Sequence, residues 1–396
     1  MPWKASAPVD QRLLFIAAVE SEPEEPFSAQ CARFGISRKT GYKWVERYNG
    51  GGPAQLLDRA SRPHQRPHAT PVELIARILS ARREHPRWGP KKLRALLCER
   101  DAATAWPAAS TFGDLLKRHG MIVPRQRRVR WNVPRADRPT PAAPNDTWCV
   151  DFKGDFALGN GTRCYPLTVT DLYARYVLTI DADRRIDTAA VRAHFERLFA
   201  LYGVPARMRS DNGVPFATTA PGGLSPLAIW WIKLGIVLER IEPGHPEQNG
   251  AHERMHRTLK DETTRPPEHD LSSQQVRFDR FRREFNEVRP HEALDQRTPA
   301  SRYTPSLRTS PAVLSDPAYP TGWRKLRVCG SGNVELRGER VQIHKMLVGE
   351  LVGLEPLDDE RWGVYFGPQR LGEVDTSAAK PRLQRPSAEP SPARAP

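Results

Sequence analysis

The sequence predicts a multidomain α/β protein: a core with a mixed central sheet, two helical modules before it and a small β-barrel after it. Three observations carry that expectation. Apolar residues recur at helical spacing up to about residue 120; strand and helix patterns alternate from Thr147; short strands crowd the stretch after Trp323. The 38 prolines cluster between these regions, which suits modules joined by stiff linkers, and 396 residues allow two to four domains.

Residues 9–60 form the first helical module. Gln11–Glu20 is apolar on one face, the acidic Ser21–Pro26 interrupts it, and Ser28–Phe34, a turn at Gly35-Ile36-Ser37 and Arg38–Tyr48 follow. That is helix-turn-helix grammar. Ser37 is placed to cap the second helix, and Tyr42, Val45 and Tyr48 to face inward or form its aromatic side. Arg38, Lys39, Lys43 and Arg47 are left outward, where such a helix meets DNA. Residues 71–125 repeat the pattern as a second helix-turn-helix module. Pro71 suits a helix start, Val72, Ile75, Ile78 and Leu79 make an apolar stripe, a second helix starts at Pro90, and Ser110–His119 ends at Gly120. Residues 126–146 are a basic linker; six arginines and Trp131 between Pro124 and Arg138 suit a chain lying along phosphates.

Charge agrees with that reading. Lys and Arg total 61 against 46 Asp and Glu, giving +15 and a pI near 9.9, which favours a polyanion, nucleic acid first. Neither a long apolar run nor a signal-type segment occurs, which argues against a membrane partner and for the cytoplasm. Five scattered cysteines without a C-x-x-C pair indicate neither a disulfide frame nor a cysteine-built zinc site.

The core spans residues 147–305. Thr147–Phe156, Cys164–Thr170 and Tyr176–Ile180 read as antiparallel strands, joined through Gly159-Asn-Gly161 and a turn at Asp171–Arg175. Helix Thr188–Tyr202, strand Arg207–Ser210, helix Leu224–Leu234 and strand Ile236–Ile241 follow. Next comes a helix capped by Asn249, with Met255 and Leu259 at i, i+4, and then a helix over Leu271–Val288. This order matches the ribonuclease-H-like arrangement. Residues 323–375 hold six short strands, hence the barrel, and residues 376–396, rich in Ala, Pro, Ser and Arg, are expected to be a disordered tail.

Asp151 sits mid-strand, where a carboxylate is costly to bury unless paired or metal-bound. Asp211 closes a later strand, the usual place for ligand groups in an α/β sheet. On the helix after Asn249, Glu253, His256, Arg257 and Lys260 fall at i, i+3, i+4 and i+7, an acid followed by cationic groups. Three carboxylates from two strands and a helix are a donor set for two Mg²⁺ ions and phosphodiester chemistry.

TWCVDFKG, RSDNGVPF, PGHPEQNGAHERMHRTLK and FNEVRPHEALDQRTPASRY, in that order, resemble the integrase catalytic core of bacterial insertion-sequence transposases, of the DDE-type, retroviral-integrase-like superfamily. The resemblance covers roughly residues 140–305, and the leading helix-turn-helix units are similar too. It implies two-metal cleavage at 3′ ends and strand transfer without a covalent intermediate, using Mg²⁺ with Mn²⁺ able to substitute. It also implies double-stranded DNA partners (element ends and target), a homo-multimer, and a place at the bacterial nucleoid. Asp151 and Asp211 match the first two acids. For the third, Glu247 and Glu253 compete, since 35 and 41 residues separate them from Asp211. The shorter spacing gave the wider family its name. In the family, however, the glutamate lies on the helix three residues after a glycine, as in Gly250-Ala-His-Glu253, and a helix aims a ligand better than a Pro-flanked turn. Glu253 is therefore the expected third acid, with the loop Ala217–Ser225 absorbing the extra residues. Arg257 and Lys260 would contact phosphates, His256 would orient DNA or support the fold, and Asn212 and Gly213 would shape the loop beside the metals. The His-His-Cys-Cys zinc module of retroviral members is absent from the sequence. The alternative is a catalytically inactive, sequence-specific DNA-binding protein derived from a transposase, against which the three acids argue.

Overall fold

The structure, a computed structural model, describes residues 8–58, 69–122, 140–241 and 249–384 and falls into two units, Met1–Thr70 and Pro71–Pro396. In the first unit α1 (Pro8–Ser21), α2 (Phe27–Arg33) and α3 (Arg38–Gly51) enclose Phe15, Ile16, Cys31, Trp44 and Leu56. Ser37 Oγ accepts from the Thr40 amide at 3.2 Å and caps α3. At Gly41 an added Cβ would lie 2.6 Å from Cys31 Sγ, so α2 and α3 approach as closely as glycine permits. The inward aromatic is Trp44, not Tyr42, which is 61 % exposed and stacks on Phe27 at 4.3 Å. Two residues along a helix is more than half a turn, so with Trp44 inside Tyr42 points outward.

The second unit begins with α4 (Val72–Glu84), α5 (Pro90–Arg100) and α6 (Ala109–Arg118), packed about Ile78, Trp88, Leu93, Leu96, Phe112 and Leu116. Val72 does not join this stripe and is 75 % exposed. Helical side chains lean toward the N-terminus, so one at the first position leans past the end of its helix. The arginine-rich stretch 124–138 lies outside the described residues.

The core sheet comprises β1 (Thr147–Phe152), β2 (Phe156–Ala157), β3 (Arg163–Asp171), β4 (Val177–Asp183), β5 (Arg207–Ser210) and β6 (Val237–Arg240). Their order is β4-β3-β1-β5-β6, with the short β2 also on β3. β1 runs antiparallel to β3 and parallel to β5, and β5 runs parallel to β6. Helices α7 (Thr188–Tyr202) and α8 (Pro226–Lys233) cover Trp148, Val150, Leu167 and Val169 on one face. Helices α9 (Gly250–Thr263) and α10 (Leu271–Arg283) cover Cys164, Val177 and Ile180 on the other. This is the mixed, two-faced sheet of the ribonuclease-H-like fold.

The α4–α6 module belongs to this unit through contacts at the end of α10. His85 stacks on Trp88 at 3.9 Å and meets Glu284 at 3.1 Å; Arg289 lies over the Trp88 ring, and Lys91 pairs with Glu292 at 2.8 Å.

The C-terminal strands β7 (Arg324–Arg327), β8 (Asn333–Leu336), β9 (Glu339–Gln342), β10 (Leu351–Pro356), β11 (Arg361–Phe366) and β12 (Gln369–Asp375) do not make the expected barrel. They form an open four-stranded sheet, β12-β11-β10-β7, and a separate hairpin, β8-β9. Edge pairing is unnecessary because other groups close the core: Leu224, Ala228, Ile229 and Ile232, at and before α8, pack against Leu336, Val352, Leu354 and Phe366. Single bridges from Arg382 to Gln342 and from Gln384 to Glu373 link the hairpin and the sheet. The tail expected to be disordered from Thr376 is thus structured as far as Gln384, with Pro381 buried; residues 385–396 lie outside the described residues.

Replacing Trp88, 2 % exposed, with alanine removes the ring under both His85 and Arg289. The expected loss is about 3–5 kcal/mol, read as a lowered Tm and denaturant midpoint for the full chain.

Candidate active site

Side chains alternate along a strand, so if Trp148 and Val150 lie under α7 and α8, Cys149 and Asp151 must face α9. On β3 the same rule turns Thr168 and Thr170 toward α9, because Leu167 and Val169 take the other face. A polar row on two adjacent strands thus lies beneath one helix, and its hydrogen bonds join strand to helix. Thr168 Oγ1 donates to the Asp151 carbonyl at 2.9 Å and contacts His252 Nε2 at 2.9 Å and His256 Nε2 at 2.7 Å. Thr170 Oγ1 meets His252 Nδ1 at 2.7 Å. Cys149 Sγ donates to Asn249 Oδ1 at 2.9 Å. Asn249 occupies the N-cap position of α9, but its side chain makes no cap hydrogen bond, because it is spent on β1.

Ser210 pairs with Val150 across the parallel β1–β5 ladder, so Asp211, next along the chain, lies beside Asp151 at the strand ends. Asp211 is exposed and accepts from the Gly213 amide at 3.1 Å, while Asn212 Nδ2 donates to the Ile241 carbonyl at 2.7 Å and ties this loop to the end of β6. Glu253 is exposed in the first turn of α9, where the helix dipole favours an anion. Asp151 feels both acids. Burial first, then Asp211, then Glu253 push its carboxyl up to about 7, against the opposing pull of Lys153 and the Phe152 amide. Glu247 lies outside the described residues.

His256 is not the surface group that helical spacing suggested. It is 5 % exposed, on the sheet side of α9 with His252, and burial pushes both imidazoles far below the ordinary histidine range. Arg254, Arg257 and Lys260 remain exposed. The face drawn from i, i+3, i+4 and i+7 is wide enough to straddle the boundary between sheet and solvent, and His256 falls inside it. Cys149, Thr168, Thr170 and His252 are not among the site residues that the sequence points to. The alternating Thr168 and Thr170, with two histidines one helical turn apart, were the available signal.

In the first unit, Arg38, Lys39 and Lys43 are exposed on α3 and Arg47 is partly so. Lys43 and Arg47 lie over the Trp44 ring at 5.1 and 4.9 Å, with Arg12 over it at 4.0 Å, so the aromatic anchors a cationic surface.

Integrase core domain models match residues 141–246 and 234–299, and homeodomain-like domain models match residues 6–57 and 40–116. The insertion element IS407 uncharacterized 31.7 kDa protein of Burkholderia multivorans is 32% identical over 232 residues, 57% of this chain and 79% of that protein. The insertion element IS476 uncharacterized 39.2 kDa protein of Xanthomonas euvesicatoria is 29% identical over 253 residues, 62% of this chain and 69% of that protein. Among solved structures, the HTLV-2 integrase catalytic core domain in complex with magnesium aligns with a TM-score of 0.33 at 14% identity, covering 41% of this chain and 99% of that one. Among the described residues, no helix is long and apolar enough to cross a membrane.

A carboxyl that keeps its proton to about 7 binds more protons folded than unfolded between roughly pH 4 and 7. Its contribution to stability therefore declines as pH rises through that window. In EDTA, the Tm of the wild type should fall relative to Asp151→Asn between about pH 5 and 7.5, and equal slopes would refute the assignment.

Proposed function

The chain belongs to the integrase-core family of insertion-element proteins, with helix-turn-helix DNA-binding domains ahead of the core, and we propose that it is a DNA transposase. In this reading it binds the ends of its element, cleaves at their 3′ ends and joins the freed hydroxyls to target DNA. The observation that carries the reading is the half-buried Asp151 on β1 beside Asp211 at the end of the neighbouring β5, with Glu253 in the first turn of α9; burial and both acids raise its carboxyl. Three acids with little cationic compensation fit divalent cations, and their oxygens suit Mg²⁺, with Mn²⁺ able to substitute. Two such ions, when bound, supply activation of the attacking oxygen and stabilisation of the leaving one at phosphorus.

The chain's own residues do the rest. The strand sets the backbone of Asp151, whose carbonyl accepts from Thr168, a loop hydrogen bond from the Gly213 amide orients Asp211, and the first turn of α9 carries Glu253. Arg254, Arg257 and Lys260, exposed on α9, would hold phosphates near the acids. Arg38, Lys39, Lys43 and Arg47 on α3 would bind the element end, and α4–α6, anchored on the core through Trp88, would extend that grip. Joining two ends calls for a homo-multimer, and work on chromosomal DNA would put the protein at the bacterial nucleoid.

With Mg²⁺ and duplexes carrying the element's terminal repeats, Asp151→Asn and Glu253→Gln should each lower cleavage and strand transfer by at least about 100-fold. Glu247→Gln should stay near wild type; loss there with Glu253→Gln active would move the third acid into the turn. Full activity in both Asp151→Asn and Glu253→Gln would return the chain to DNA binding alone. Lys43→Ala should weaken end binding in fluorescence anisotropy and reduce the log–log salt slope by about 1, as expected for one lost phosphate contact.

A further inference from the structure

Thr168 fixes the tautomers of both buried histidines. Its hydroxyl has one hydrogen, which goes to the Asp151 carbonyl at 2.9 Å because a carbonyl can only accept. The same oxygen touches His252 Nε2 at 2.9 Å and His256 Nε2 at 2.7 Å, so both nitrogens must donate N–H to its two lone pairs. His252 is then fully satisfied, because its Nδ1 accepts the Thr170 hydroxyl at 2.7 Å. His256 is left with a bare lone pair on Nδ1, which faces Asp151 Oδ2 at 3.7 Å. Two lone pairs facing each other repel unless something positive lies between them, and 3.7 Å is too long for a direct hydrogen bond. It is within about 0.1 Å of what a shared cation needs, since donors about 2.0–2.2 Å from one ion lie roughly 3–3.6 Å apart at octahedral to tetrahedral angles, and a small side-chain rotation closes that gap. The ligand atoms of Asp151, His252 and His256 all lie within 4.8 Å of one another, but the bond from Thr170 closes His252 to metal.

We propose that His256 Nδ1 and Asp151 Oδ2 ligate one divalent ion together, so that one metal position of the active site is a mixed nitrogen–oxygen site. The proposal rests on the reading of Asp151 as a metal-binding acid and goes beyond it, because an all-carboxylate site would contain no nitrogen. The Nε2–H bond to Thr168 is the outer-sphere contact that a metal-bound imidazole ordinarily keeps, and it aims Nδ1 at the carboxylate. His252 and Thr170 act as positioning residues, because they complete the hydrogen bonding that forces Thr168 to accept from His256. An imidazole ligand shifts preference from Mg²⁺ toward Mn²⁺, Co²⁺ and Zn²⁺.

The test is electron spin-echo envelope modulation on Mn²⁺ bound to the full-length, tag-free protein. Wild type should show ¹⁴N modulation from one coordinated imidazole, and labelling with ¹⁵N-histidine should change it with no mutation at all. His256→Asn should lose the signal and weaken Mn²⁺ binding about 10-fold or more, with Mg²⁺ binding changed far less. Mn²⁺ binding that Asp151→Asn abolishes but that shows no histidine nitrogen in wild type overturns the ligand and leaves the acid site standing. Absence of binding, or binding indifferent to Asp151→Asn, overturns both.

Discussion

Placing a carboxylate on the central strand of a buried sheet costs free energy unless its surroundings compensate, and much of the core is arranged around that cost at Asp151. Strand alternation sends it to the α9 face together with Cys149, and pairing with β3 sets Thr168 opposite it. The polar row so formed cannot be left dry and unpaired under a helix. His252, His256 and Asn249 on α9 supply partners, with Met255 and Leu259 keeping the rest of that helix apolar against the sheet. The hydrogen bonds therefore set the rotation of α9 about its axis. That rotation in turn decides where Glu253 emerges.

The same constraint bears on the electrostatics. Two neutral imidazoles and a threonine satisfy the backbone and one another, but they bring no positive charge to Asp151. Among the described residues, Lys153 pulls it down, and that influence is outweighed by burial and by Asp211. In the proposed function, a carboxyl raised in this way would exchange its proton for a metal ion near neutral pH. A nitrogen donor beside it would make the two halves of the proposed metal pair chemically unequal, with the Asp151 position the softer of the two.

The flanking modules are built into the second unit through buried contacts. Trp88 carries α4–α6 on the end of α10, and α8 shares its apolar residues between the core sheet and the C-terminal sheets. The half-buried pair of Lys233 and Glu350, 2.9 Å apart, joins α8 to the loop before β10. Neighbouring parts thus share single helices, and a shift of α8 would be felt in two cores at once.

Most of the element order from Thr147 to Arg283 could be read from the chain because apolar spacing and turn residues are local signals, as at the Gly159–Gly161 turn, and Ser37 shows the same for a helix cap. The expected strand Thr147–Phe156 is two, however, since the chain leaves β1 after Phe152 and the short β2 pairs separately with β3. Motif order, not local structure, singled out Asp151, Asp211 and Glu253 as the proposed acids; in the structure burial, Asp211 and Glu253 raise the Asp151 carboxyl. Contacts distant in sequence were not legible. Periodicity alone could not say that Trp44 rather than Tyr42 turns inward, or that His256 lies under α9 rather than on its surface, because both depend on what packs opposite. Nor could six short strands say whether they close on themselves, since α8, roughly a hundred residues earlier, fills the gap. Local chemistry determined which elements form and which carry the acids. Packing between distant segments decided which side chains face the sheet, and so placed a histidine nitrogen opposite the Asp151 carboxylate.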